Sequence, residues 1–82
     1  MRTLEELNKV LNGLNNLCDF LDEPRIPLMY SFNHDKDSWI IKNIYPQDTN
    51  KLKDMLDIVC NVFGIKGSRE YTFEECLVYI VV

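Results

Sequence analysis

The first twenty residues place apolar side chains at the period of a helix. Leu4, Leu7, Leu11, Leu14, Cys18 and Leu21 recur at spacings of three and four, and Val10 and Leu17 widen the stripe. Ahead of it, Thr3-Leu4-Glu5-Glu6 is a capping box, in which hydroxyl and carboxylate satisfy backbone amides that have no partner within the helix. The spacing predicts a helix over about residues 4–21, ended before Pro24. Gly13 and the asparagines at 8, 12, 15 and 16 lower its intrinsic propensity, so tertiary packing must hold it.

The period then falls to two. Ile26, Leu28, Tyr30 and Phe32 alternate with Pro27, Met29, Ser31 and Asn33, and residues 38–45 are rich in aromatic and β-branched side chains. His34-Asp35-Lys36-Asp37 between them is a polar turn of hairpin length. A symmetric hairpin sets Phe32 opposite Trp39, Tyr30 opposite Ile41, Leu28 opposite Asn43 and Ile26 opposite Tyr45. Its other face carries Pro27, Met29, Ser31, Ile40, Lys42 and Ile44.

Pro46 with Asp48 or Thr49 opens a second helical stripe, marked by Leu52, Met55, Leu56, Val59, Val62 and Phe63. Gly64-Ile65 reads as a terminating glycine with its hydrophobic contact, and Lys66 to Tyr71 as a loop. The tail is ambiguous. Thr72-Phe73-Glu74-Glu75 repeats the capping-box spacing, while Val78-Tyr79-Ile80-Val81-Val82 is an unbroken run of strand formers. A strand covered on both faces suits that run better. The expectation is a single α+β domain over residues 1–82, in the order helix-strand-strand-helix-strand. Its three-stranded mixed sheet has the last strand parallel to the second and beside the first, with both helices on one face.

Composition removes several function classes. No apolar run reaches the roughly 20 residues that span a bilayer, and no secretory leader precedes the first helix, so no membrane and a cytoplasmic location are expected. The net charge of -4 is spread along the chain, with residues 1–25, 26–50 and 51–82 summing to -2, -1 and -1. This disfavours both non-specific nucleic-acid binding and a dense acidic face that imitates DNA. The chain has no alanine and many Asn, Lys and Ile, as expected of an AT-rich genome such as that of a low-GC bacterium or its phage.

Candidate chemistry is sparse. His34 sits in a polar turn with no nucleophile signature nearby. Asn33, Asp35 and Asp37 fail as a calcium loop because Ser38 stands where glycine is needed and Ile44 where a glutamate is needed. Cys18, Cys60, Cys76 and His34 are zinc-ligand types without a close-spaced cysteine pair, and three thiols among apolar neighbours read as reduced core residues. Gly64-Ile65-Lys66-Gly67 has the outline of a GxxG loop, but too little chain follows it for a KH domain. No metal, cofactor or enzymatic activity is expected.

Two helices cover one face of such a sheet, yet both faces are apolar. The other face, or an unpaired edge, is therefore expected to bind a protein partner or a second copy as a homodimer. Candidate contacts are the aromatics Tyr30, Phe32, Trp39 and Tyr45 and, on the opposite side, Met29, Ile40 and Ile44. A small inhibitor or adaptor of phage or mobile-element type fits these features. The competing expectation is a nucleic-acid-binding module using Lys66, Arg69 and exposed aromatics.

Overall fold

The computed structural model describes residues 3–82. Thr3 caps the first helix as its spacing predicts, its hydroxyl accepting from the Glu6 amide at 3.3 Å. This helix, α1, spans Leu4–Phe20. The hairpin follows as β1, Leu28–Asn33, and β2, Ser38–Asn43. Its register matches the symmetric expectation, with Phe32 opposite Trp39, Tyr30 opposite Ile41 and Leu28 opposite Asn43. The Asn33 side chain closes the turn by accepting from the amides of Asp35 and Lys36.

The second helix, α2, spans Thr49–Phe63; Asp48 caps its start and Gly64 ends it at φ 67°, in the left-handed region. Here the structure departs from the sequence expectation. Residues Gly67–Phe73 form a further strand, β3, where a loop was expected, and Cys76–Val81 form β4, which settles the ambiguous tail as a strand. The sheet has four strands rather than three, in the order β1-β2-β4-β3, and every pairing is antiparallel, so it is not mixed. The added hairpin reverses the chain once more. The last strand therefore runs antiparallel to β2 and beside it, instead of parallel and beside β1.

Both helices lie on one face, as expected. Leu7, Val10, Leu14 and Cys18 of α1 and Leu52, Met55, Leu56, Val59 and Cys60 of α2 form one core with Ile41, Leu77, Tyr79 and Val81. The helices approach closely at Gly13, where an added Cβ would lie 2.5 Å from Val59 Cγ1. Asn43, buried in β2, has a partner for each polar side-chain atom: its amide nitrogen donates to the carbonyls of Tyr45 and Glu75, and its oxygen accepts from the Leu77 amide.

Candidate functional site

Alternation along the strands assigns every side chain to a face. The core face takes Leu28, Trp39, Ile41, Leu77, Tyr79 and Val81. The residues between them, and their partners in register, project from the face without helices. These are Met29, Ser31 and Asn33 on β1, Ser38, Ile40 and Lys42 on β2, Cys76, Val78 and Ile80 on β4, and Ser68, Tyr71 and Phe73 on β3. Ile44 joins them, since its amide donates to the Pro27 carbonyl and continues the ladder beyond β2. Met29, Ile44, Tyr71 and Phe73 are 50%, 47%, 53% and 68% exposed. Ile40 and Ile80 are half-buried by their neighbours, and Val78, between Lys42 and Tyr71 in register, is buried. The result is a largely apolar surface across four strands, interrupted by Lys42 and by the exposed Ser31 and Ser68.

The candidate residues thus divide between two faces. Met29, Ile40 and Ile44 belong to the helix-free surface; Tyr30, Phe32 and Trp39 form one cluster on the helix side, at the β1 edge. Trp39 is anchored, its indole N–H donating to the Thr3 carbonyl at 3.2 Å. Phe32 and Tyr30 stand edge-on to it, with centroids 5.0 Å and 6.0 Å away, and Phe32 also meets His34. Tyr45 is exposed beyond the end of β2, apart from this cluster. Tyr71, Phe73 and Ile80 were not among the sequence candidates. For the first two the missing signal was the strand that carries them.

Lys66 and Arg69 come together with Lys53 at a cleft of about 620 Å³ between α2 and β3, also lined by Asp57, Cys60, Asn61 and Ser68. In this cleft Lys53 pairs with Asp57 at 2.7 Å, and Arg69 donates to the neutral Asn50 side chain. No exposed aromatic lines it. At its base the Tyr79 hydroxyl donates to Asp57 at 2.6 Å, with Cys60 Sγ 3.8 Å away. Burial, then the bond to Asp57, pushes the Tyr79 phenol far above its usual value, and burial pushes the Cys60 thiol up. Both groups are therefore protonated at neutral pH, and the trio fastens α2 to the sheet. Gly67 makes room for it, because a Cβ there would lie 2.5 Å from the phenol oxygen.

Of the three thiols expected in the core, Cys18 and Cys60 are buried, but Cys76 is exposed on the helix-free face, where the strand's alternation places it. Among the described residues no cluster of His, Cys, Asp and Glu is arranged to hold a metal. No helix among them is long and apolar enough to cross a membrane. Comparison with protein-family models and with curated proteins finds no match.

Proposed function

We propose that this protein is a non-enzymatic interaction module that seats its helix-free sheet face on a protein partner and occludes the surface it covers. The observation that carries this is the face itself: Met29, Ile44, Tyr71 and Phe73 are each about half exposed or more, over a base of Ile40, Val78 and Ile80. Four strands at about 4.8 Å spacing and six residues at about 3.3 Å rise give roughly 400 Å². That is the whole face, Ser31, Lys42 and Ser68 included, so its apolar part is no larger than the largest patch on an ordinary monomer, a patch that is often functional. Lys42 selects among occupants. Stacking two copies face to face would bring two ammonium groups into one dehydrated interface, whereas a partner with a carboxylate opposite Lys42 neutralises it.

The test uses three baits, wild type, Phe73→Asp and Lys42→Glu, presented to extract of the native host. A partner held by wild type and released by both variants, each melting within a few degrees of wild type, is the expected outcome. Identical capture by all three baits overturns the proposal. So does failure of the dilute wild-type protein to bind a hydrophobic dye that Phe73→Asp also fails to bind.

A nucleic-acid reading draws on the gathering of Lys53, Lys66 and Arg69 at one cleft. It is weakened by Asp57 in the same lining and by the nearby C-terminal end of α2, where the helix dipole is negative. Affinity for single strands that falls steeply with added salt would favour it.

A further inference from the structure

The two edges of the sheet are built differently. The β3 edge has a register shift between Arg69 and Tyr71 and carries Arg69 and Glu70, two devices that discourage strand addition. The β1 edge has neither. Leu28-Met29-Tyr30-Ser31-Phe32-Asn33 contains no charge and no proline, and pairs with β2 without irregularity.

The phase of the ladder shows which backbone groups β1 presents outward. The Ile44 amide donates to the Pro27 carbonyl at 3.2 Å, so Pro27 and Ile44 face each other through their polar groups. Antiparallel pairs alternate between hydrogen-bonded and non-hydrogen-bonded. Met29, Ser31 and Asn33 therefore direct their amides and carbonyls to β2, and Leu28, Tyr30 and Phe32 direct theirs away from the sheet. Three outward residues at two-residue spacing form a self-complementary set. One antiparallel register, centred on Tyr30, pairs all three with a second copy: Leu28 with Phe32 of the partner subunit, Tyr30 with Tyr30 of the partner subunit, and Phe32 with Leu28 of the partner subunit.

We propose that two copies of this chain join through their β1 edges, two-fold about Tyr30, into one continuous eight-stranded antiparallel sheet. Each copy gives three donors and three acceptors, so the junction holds six backbone hydrogen bonds. Tyr30 is 53% exposed at the centre of the strand, so the helices leave the middle of the edge accessible. The lack of charge on β1 lets two acidic chains meet there without a like-charge contact. This pairing leaves the helix-free face open and is independent of the partner proposed for it.

Sedimentation from micromolar to millimolar concentration, with amide exchange at both ends, tests the proposal. Wild type is expected to shift from one copy to two, with the amides of Leu28, Tyr30 and Phe32 becoming protected only at high concentration. Those of Met29 and Ser31 are protected throughout. Tyr30→Lys and Tyr30→Glu each set like charges opposite one another and are expected to weaken pairing about tenfold or more. Mixing the two variants restores it, which shows that both still fold. A chain that remains single at millimolar concentration overturns the proposal, as does a dimer in which the Leu28, Tyr30 and Phe32 amides exchange freely, or one that Phe73→Asp abolishes and the mixed variants do not restore.

Discussion

Asn43 shows how much one side chain can hold. Three of its hydrogen-bonding positions are used, on two carbonyls and one amide, where β2 and β4 part and the chain leaves for α2. Asn43→Ala leaves the Tyr45 carbonyl and the Leu77 amide without partners, at about 1 kcal/mol or more each, while the Glu75 carbonyl keeps the Gln47 amide. Urea unfolding is expected to show a loss of about 2 kcal/mol with an unchanged slope. Nothing in the sequence distinguished Asn43 from the other asparagines, because its partners, Glu75 and Leu77, are distant in the chain. Asp57 and Tyr79 make a second such link, and it depends on pH. Burial alone would raise the Asp57 carboxyl, but hydrogen bonds from Lys53 and Tyr79 outweigh it and hold the group below its ordinary 3.8. Its stabilisation is thus present above 3.8 and lost as pH falls through the lower folded value. Tyr79 has the opposite sign: raised in the folded state, it stabilises fully below 10 and loses that contribution as pH climbs beyond it. Melting temperature followed across pH is expected to fall less steeply at both ends in Tyr79→Phe than in wild type.

At the scale of elements, both helices and the first hairpin were legible because caps and periodicity agreed. Thr3, Asp48 and Gly64 stand where their helices begin or end. The second hairpin was hidden for identifiable reasons. Gly67-Ser68-Arg69-Glu70 has no apolar alternation, since its core-side positions hold a glycine under Tyr79 and an arginine at the cleft. Its turn, Glu74-Glu75, lacks the glycine or asparagine of a tight hairpin and imitates a helix cap with Thr72. Glu74 adopts φ 55°, a conformation that costs a side-chain-bearing residue about 1 kcal/mol. Glu74→Gly is expected to raise stability by about 0.5–1 kcal/mol, read as a higher urea midpoint. Gly13 carries the reverse lesson. In α1 alone, Gly13→Ala would gain about 1 kcal/mol of propensity. In the folded chain its Cβ would lie 2.5 Å from Val59 Cγ1 and 3.0 Å from Phe63 Cε2. Overpacking costs about 1–3 kcal/mol, so a net loss is expected in the same assay.

For the whole molecule, β4 is decisive. It follows the other three strands in the sequence, yet it sits inside the sheet between β2 and β3, and its Leu77, Tyr79 and Val81 fill the core. Ending the chain after Tyr79 removes Ile80, Val81 and Val82, and with them the pairing of Val81 with both Trp39 and Gly67, a fully buried Val81 worth about 1.5–3 kcal/mol and a half-buried Ile80 worth about half that. An 82-residue domain has roughly 4–12 kcal/mol in all, so the truncated chain is expected to lack a cooperative melt by circular dichroism. A second apolar face persists in the four-stranded sheet, at Met29, Ile44, Tyr71 and Phe73, because it arises from strand alternation, and its extent is that of an ordinary monomer's largest patch. The position of the candidate surface was legible only for β1 and β2, whose partners lie nearby in sequence. The irregularity in β3 has a consequence for valence. With one edge guarded and one open, each copy offers a single attachment point, so association by strand addition stops at two and cannot propagate into a fibre.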